Sequence, residues 1–451
     1  MSRKRSLALI VLLSVLALVF ALNAGCGDDD DDDGGCPPIS DDDDDTSDDD
    51  VVDDDDSDDD DVIDDDDTDD DDTVDDDDSF EYCEDYDDAL ASGRSYLQVG
   101  IPEMARPAFE CVVHEDAEIS DGHYGLMLSG SLHLYEIVSL LSVMIADFES
   151  GHQQKDIDED REFLRQIISM IADGYFHPAG ENVRVSYDWL TEAGNPSMTI
   201  DDVPILWELK PVASLGSEFD AGEKELCLVV GDVFDGLGGH LISLKIDINL
   251  LYVFDLNFSG TTEEIITGIV YMLDDMLNDP AYPDSFKIDP DYEERLSDSR
   301  MYLGVGFLGV RKALDAIMSE TDDQSDDVFG YIDENSNNAY DEGEPLWIPG
   351  IGEIEGDDLD LVFAVADLLY DLGAAFLDRT PLDVNPEQDD PFHLSAANDL
   401  LRAFGIPGII PNFLTVDIAK VYEDLEEDSI RNLLQTVVNM LKLILPAPAA
   451  A

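Results

Sequence analysis

The segment best suited to specific chemistry is Asp333–Glu344, in which oxygen-bearing side chains recur at nearly every second position. Alternate residues of a tight turn point their oxygens toward its centre, and Ca2+ prefers carboxylate and amide oxygens as ligands. The segment therefore predicts a calcium site. In a chain so rich in aspartate, an ordinary acidic turn is the alternative.

This segment resembles the calcium loops of EF-hand and dockerin-like proteins. Counted from its first residue, the resemblance implies side-chain ligands at positions 1, 3, 5, 9 and 12 and a carbonyl ligand at position 7. Those positions hold Asp333, Asn335, Asn337, Asp341, Glu344 and, for the carbonyl, Ala339. Position 6, usually glycine, is Asn338, which tolerates a left-handed backbone. Pro345 and Pro349 exclude an immediate exiting helix, so we expect a lone loop.

The N-terminus carries an export signal. Basic residues 3–5 precede the apolar run Leu7–Phe20, the charge and length pattern of a signal peptide. The run leads into Ala24-Gly25-Cys26, which resembles the signal of bacterial lipoproteins. The resemblance implies that Cys26 carries a lipid anchor and holds the protein at the bacterial outer membrane or cell surface. A cleaved and released form and an uncleaved anchor are the alternatives.

The charge of the chain is extreme and unevenly spread. Lysine and arginine number 22 and aspartate and glutamate 109, for a formal net charge of −87. Residues 28–78 hold 34 aspartates and no basic residue, partly as an 11-residue repeat, and residues 79–451 carry −56. This charge excludes nucleic acid and anionic membrane surfaces as partners. The aspartate tract predicts a disordered linker, either a spacer or a low-affinity reservoir for hard cations.

The first part of the folded region contains a pattern of small and aromatic residues. The pattern is Gly93-x2-Tyr96-x3-Gly100-x4-Ala105-x3-Phe109. It resembles a tetratricopeptide repeat over about residues 86–130, which implies two antiparallel helices that turn near Gly100–Pro102. Any other αα-hairpin is the alternative.

The same hairpin suggests a disulfide. Antiparallel helices bring the segment before the first helix toward the end of the second, so we predict a bond between Cys83 and Cys111. Export makes disulfides possible. Cys227 lies in an apolar run and reads as a buried thiol.

Further helices follow from apolar residues at a period of 3.6. They are His123–Phe148, Asp156–Ile171, Gly222–Leu251, Glu263–Leu277, Tyr292–Ser319, Asp358–Leu377, Pro391–Phe404 and Val416–Leu445. The third predicted helix, Gly222–Leu251, is rich in glycine. We expect it either to break near Gly236 or to pack closely against another helix. Phe176–Lys210 lacks the period and is predicted to be a short hairpin or a long loop.

The predicted fold class is all-α, a TPR-like helical repeat or bundle. The predicted divisions are a signal peptide at 1–25, a disordered linker at 26–79, helical regions at 80–280 and 281–445, and a tail at 446–451. The boundary between the helical regions follows from three prolines within Asp279–Asp291.

No catalytic motif accompanies these elements. The sequence contains no HExxH, no GxSxG and no Walker A loop. We therefore expect a lipid-anchored envelope protein whose helical module binds or scaffolds a protein or peptide and is stabilised by Ca2+, rather than an enzyme. An envelope hydrolase that uses carboxylates and Ca2+, and a structural cation-buffering surface protein, are the alternatives. A cleft with paired carboxylates would favour the hydrolase.

Overall fold

The computed structural model describes most of the region after residue 85. The described residues are 86–151, 166, 168–193, 203–207, 210–215, 221–245, 262–281, 283–320, 330–348, 352–377, 392–403, 407–408, 410–443 and 445. Most of them are helical, as the sequence predicts. The predicted signal peptide, the aspartate tract and the tail 446–451 lie outside the described residues.

The helices are numbered in chain order. They are α1 Tyr86–Gln98, α2 Pro102–Glu115, α3 Ser120–Gly151, α4 His177–Ala193, α5 Ala221–Ser243, α6 Thr262–Asn278, α7 Glu293–Ser319, α8 Asp357–Phe376, α9 Ala397–Ala403, α10 Ile418–Glu423 and α11 Ser429–Lys442. A π-helical turn, Ala172–Phe176, leads into α4, and 3-10 turns at Pro290–Tyr292 and Leu394–Ala396 precede α7 and α9.

Short antiparallel strands connect the helices. They are β1 Val203–Trp207, β2 Lys210–Leu215, β3 Leu244–Lys245, β4 Lys287–Ile288, β5 Gly330–Tyr331, β6 Leu346–Ile348, β7 Gly352–Ile354, β8 Phe392–His393 and β9 Thr415–Val416. β1 pairs with β2, β3 with β4 and β8 with β9, while β5, β6 and β7 form one three-stranded sheet. In that sheet Tyr331 lies opposite Leu346, and Trp347 lies opposite Glu353.

The helices pack largely in chain order around α5. In the series α1, α2, α3, α4, α5, α7 and α8, each helix packs against the next one, whereas α6 packs against α11. α5 is not broken near Gly236. A Cβ on Gly236 would lie 2.7 Å from Leu303 of α7, and one on Gly231 would lie 3.0 Å from Val183 of α4. The glycines of α5 therefore let both neighbouring helices approach its backbone.

The predicted αα-hairpin is present as α1 and α2. Gly100 has φ +75°, and the N–H of Ile101 bonds the Tyr96 carbonyl at 3.0 Å, which ends α1 in a Schellman motif. Phe109 of α2 is fully buried. A Cβ on Gly93 would lie 2.7 Å from its ring, and one on Gly125 of α3 would lie 2.2 Å away. The aromatic ring therefore fills space that glycines on two other helices leave open.

The expectation that Phe176–Lys210 is non-helical was wrong for its first half, which forms α4. Besides Gly180, the buried residues of α4 are Ala179, Val183, Ser186 and Leu190, and these four are spaced four, three and four residues apart. Alanine and serine on this face obscured the helical period. The hairpin expected in the second half is present as β1 and β2.

Three predicted helices are shorter than expected. The helix expected at Gly222–Leu251 ends at Ser243, because Leu244 pairs with Ile288. The helix expected at Pro391–Phe404 is reduced to α9, because Phe392 and His393 pair with β9. The helix expected at Val416–Leu445 is split into α10 and α11. There the Ser429 hydroxyl accepts from the N–H of Glu426 and donates to the Asp424 carbonyl, which stabilises a turn.

The described residues belong to one compact unit. α5 and α7, on either side of the predicted division at 280/281, pack closely along their lengths. The prolines within Asp279–Asp291 form the turns between α6 and α7.

Candidate functional site

The predicted site residues are unequally covered by the structure. Cys26 and Cys83 lie outside the described residues. Cys111 is disulfide-bonded. Because Cys83 is not among the described residues, the pairing of these two cysteines stays a prediction. Cys227 is a free, buried thiol, and burial raises its pKa to about 12. All six predicted calcium ligands are described.

The predicted calcium loop connects β5 and β6. Its base is closed by the Ile332 N–H, which donates to the Pro345 carbonyl at 2.8 Å. The loop lies between strands rather than helices, in keeping with the prolines that follow it. Its sheet packs on the end of α7 and the start of α8, in a cluster that contains Ile317, Tyr331 and Leu359.

Asp333 organises the first half of the loop. Its Oδ2 accepts from the N–H of Asn338 at 2.7 Å, and Ser336 and Asn338 both have φ +56°. Desolvation, the largest single contribution, raises the Asp333 pKa, but hydrogen bonds from the N–H groups of residues 335–338 together bring the pKa below its ordinary value. The other oxygen, Oδ1, is buried and has no hydrogen-bond partner among the described residues. A carboxylate oxygen in that state has an open coordination position.

Asp341 gathers the two predicted asparagine ligands. Its Oδ2 accepts from Asn335 Nδ2 at 2.5 Å and from Asn337 Nδ2 at 2.9 Å. Asn337 Oδ1 in turn accepts from the N–H of Ala339 at 2.9 Å. Each asparagine carries an oxygen as well as the donating nitrogen, and rotation about the terminal torsion exchanges them. The amides that now donate hydrogen bonds to Asp341 are thus also a source of oxygen ligands.

Glu344 closes the loop from inside. It is 5 % exposed. Its Oε1 accepts from the N–H of Glu334 at 3.1 Å and its Oε2 from the N–H of Asp341 at 2.8 Å. The loop therefore brings the five predicted side-chain ligands into one hydrogen-bonded network. Among the described residues, no three His, Cys, Asp or Glu side chains converge as a metal-binding group, so a cation here would depend on the asparagine oxygens.

A second polar feature is buried between α4, α5 and α7, and the sequence analysis missed it. We call it the ionic cluster; its members are His177, Arg184, Asp232, Asp235 and Arg295. Asp235 is fully buried and accepts from Arg184 Nη2 and Arg295 Nη2, each at 2.5 Å, and from His177 Nδ1 at 3.1 Å. The Arg184 guanidinium also lies 3.8 Å from the ring centroid of Tyr302. Three helices are thereby joined through one carboxylate.

Asp232 is the weakly partnered member of the ionic cluster. Its Oδ1 accepts from Arg184 Nη1 at 3.1 Å, while its Oδ2 is buried and finds no hydrogen-bond partner within the described residues. Burial raises the pKa of Asp232 from 3.8 to about 6, although the charge and hydrogen bond of Arg184 oppose the shift. The sequence signal was Asp232-x2-Asp235, two carboxylates on one face of an apolar, glycine-rich helix.

The described cavities are separate from both features. An open groove of about 390 Å3 lies between β9, α10 and α11, with Lys420, Asp424 and Asn432 among its lining residues. None of the calcium-loop or ionic-cluster residues lines it.

Among the described residues, α5 alone has the length and hydropathy that would allow it to cross a membrane. Its most apolar stretch is 56 % buried inside the protein. Its packing against α4 and α7 is that of a core helix.

Comparisons with other proteins give no relative: no known protein family, curated protein or solved structure matches this chain. Its function is therefore argued from its own residues.

Proposed function

We propose that the protein is an exported, lipid-anchored component of a bacterial cell envelope. Its helical region acts as a binding or scaffold module for a protein or peptide, and the loop Asp333–Glu344 binds Ca2+ and stabilises that region. The hairpin α1–α2 is a TPR-like unit of the module, and the aspartate tract 28–78 is the spacer between lipid and module.

The observation that carries the calcium proposal is the state of Asp333. One of its carboxylate oxygens is buried and has no hydrogen-bond partner in the described part of the chain. Backbone N–H groups that bond the carboxyl lower its pKa and so favour its charged form. The residues present fit a hard cation. Asp333, Asp341 and Glu344 would supply charge, Asn335 and Asn337 neutral oxygens, and Ala339 a carbonyl. When bound, the ion would supply electrostatic cross-linking of the two halves of the loop.

The proposed location at the cell envelope is supported by the sequence. Basic residues 3–5, the apolar run Leu7–Phe20 and the ending Ala24-Gly25-Cys26 support lipidation of Cys26. Because the tract that follows carries 34 aspartates, self-repulsion would extend it and hold the module away from the membrane.

The binding role is supported by the packing of the helices and by the open groove of α10 and α11, whose mixed polar and apolar lining is suited to a peptide. The hydrolase alternative has less support. Asp232, whose pKa burial raises, and its neighbour Asp235 are held by arginines between helices and do not line that groove. The cation-buffering alternative rests on the aspartate tract alone.

Calcium binding is tested by thermal unfolding of the full chain with and without Ca2+. A lone loop is expected to bind with Kd on the order of 10⁻⁴–10⁻³ M. Ca2+ at ten times Kd then stabilises the native state by about 1.4 kcal/mol. Mg2+ should stabilise less, because it requires a smaller octahedral shell.

The matched variants are Asp333→Asn and Glu342→Gln. Each removes one negative charge from the loop, but Glu342 is an exposed residue that is not a predicted ligand. The aspartate tract binds ions equally in both, so the difference between them isolates the loop. Equal stabilisation of wild type and both variants by Ca2+ would show that the loop is only an acidic turn.

Lipidation is tested by Cys26→Ser, which should release the protein from membranes. Mass spectrometry of the wild type should find a lipid-modified mature N-terminus at Cys26. An unmodified N-terminus at Gly25 would contradict the anchor.

A further inference from the structure

A continuous set of contacts runs from the calcium loop to the central helix. Inside the loop, the Tyr340 ring packs edge-on against the ring of Tyr331 in β5, with centroids 5.7 Å apart. The Tyr331 hydroxyl donates to the carbonyl of Glu320 at 2.9 Å. Glu320 is the C-cap residue of α7, directly after Ser319. The first contact therefore ties the loop to the C-terminal end of α7.

The same Glu320 reaches α5 through its side chain. Its Oε1 accepts from the N–H of Gly222 at 2.8 Å. Gly222 is the second residue of α5, where N–H groups have no partner within the helix. A carboxylate at this end is also favoured by the helix dipole. Glu320 is thus bonded by its backbone to the loop sheet and by its side chain to the start of α5.

The C-terminal end of α7 and the N-terminal end of α5 are closely packed. A Cβ on Gly222 would lie 2.5 Å from Cγ1 of Ile317, one turn before the end of α7. Ile317 packs in the same buried cluster as Tyr331 and Leu346, the residues paired across β5 and β6. Movement of the strands that flank the loop would therefore displace Ile317, which packs against the start of α5.

We propose that a divalent cation bound by Asp333–Glu344 tightens the N-terminal end of α5 through Tyr331 and Glu320, so that loop occupancy regulates the central helix. This proposal rests on the calcium binding proposed above. A ligand shifts a conformational equilibrium only by its differential affinity for the two states. Here the cation binds the closed loop, in which β5 is paired and Tyr331 is held against Glu320. Opening at Gly222 is then opposed by the binding energy of the cation.

The test is hydrogen exchange of the full chain, followed by mass spectrometry, in Ca2+ at ten times its measured Kd and in chelator. At that concentration, opening events that release the ion are suppressed about 11-fold. The loop amides of Glu334, Asn338 and Asp341 should therefore slow by about tenfold. The amides at 222–224 should slow by about threefold or more if their opening is partly coupled to the loop.

Two tyrosine variants locate the coupling. Tyr331→Phe removes the hydroxyl that bonds Glu320 and leaves the ring in place. Tyr302→Phe removes a hydroxyl from α7 at a site away from the loop. We expect Tyr331→Phe to keep the slowing in the loop and lose it at 222–224, whereas Tyr302→Phe behaves as wild type. Because coupling is reciprocal, Tyr331→Phe should also weaken Ca2+ binding by the factor lost at α5.

The outcomes separate this proposal from the one on which it rests. If Ca2+ slows no loop amide, calcium binding itself is wrong, and the coupling falls with it. If Ca2+ slows the loop amides but not those at 222–224, calcium binding stands and the coupling is wrong. Slowing at 222–224 that survives in Tyr331→Phe would also overturn the proposed route.

Discussion

The calcium loop and the ionic cluster both hold carboxylates close together, but different groups stabilise the carboxylates in each. In the loop, the carboxylates of Asp333 and Glu344 are neutralised mainly by backbone N–H groups of their own segment. In the ionic cluster, Asp235 is neutralised by side chains from α4 and α7, residues 51 to 60 positions away in the chain. The loop is thus organised locally, and the cluster exists only after three helices have packed.

The difference has an energetic consequence. A loop carboxylate that loses its partners regains solvent nearby, because most loop residues are exposed. A charge stranded in the ionic cluster has no such access, since the side chains of Asp232 and Asp235 are 2 % and 0 % exposed. Substitutions in the cluster should therefore change stability more than those in the loop.

The largest effect is expected for Asp235→Ala. The change leaves the partly buried guanidinium groups of Arg184 and Arg295 without their shared partner, which should lower the free energy of unfolding by about 3 kcal/mol. Urea denaturation at pH 7.5 measures it. The control is Asp367→Ala, which removes an exposed partner of Arg311 and should cost about 1 kcal/mol or less. Equal losses in the two variants would contradict the distinction drawn here.

Asp232→Asn should have the opposite sign, although it lies three residues away. The pKa of Asp232 is raised from 3.8 to about 6 on folding. The folded state therefore binds the proton more tightly, and ionisation destabilises the protein by an amount that grows from about pH 4 and is complete above about pH 6. A neutral asparagine should raise the free energy of unfolding by up to about 3 kcal/mol at pH 7.5 and by about 1 kcal/mol at pH 4.5.

Urea denaturation of wild type and Asp232→Asn at the two pH values measures this difference. A gain that does not shrink at pH 4.5 would mean that the effect of the substitution is packing rather than charge.

Glu344→Gln tests the loop without metal. The amide keeps one oxygen acceptor and places a donor where the carboxylate now accepts from the Asp341 N–H or the Glu334 N–H. One N–H of a partly buried hydrogen bond then lacks its acceptor, which should cost about 1 kcal/mol. Thermal unfolding in chelator measures it, with the exposed Glu342→Gln as the control. A loss equal to that of Asp235→Ala would abolish the contrast between the two regions.

The smallest effects are expected at Asn338, where φ is +56°. Asn338→Ala should cost about 1 kcal/mol, because a Cβ without a compensating polar group is strained in the left-handed region. Asn338→Gly should cost nothing or stabilise by a few tenths of a kcal/mol. Thermal unfolding in chelator compares the pair. Equal stability of the two variants would show that backbone strain does not limit this loop.

Prediction from sequence succeeded where neighbours in the chain decide the structure. The turn at Gly100 and the helical spans of α3, α6, α7 and α8 follow from spacing and turn residues within short windows. It failed at α4, whose buried face is built from alanine and serine as well as valine and leucine. It also failed where a strand displaced a predicted helix end, as at Leu244 and Phe392, because the pairing partners lie distant in sequence.

The sequence by itself determined the oxygen-rich spacing of Asp333–Glu344, the charge of the chain and the candidate anchor, because each is a property of consecutive residues. Only the tertiary structure decided that Asp235 is shared by two arginines and a histidine. It also decided that Glu320 joins the loop sheet to the start of α5. The physical reason is that burial creates the cost of an unpaired charge, and the residues that offset that cost are chosen by packing, not by their distance along the chain.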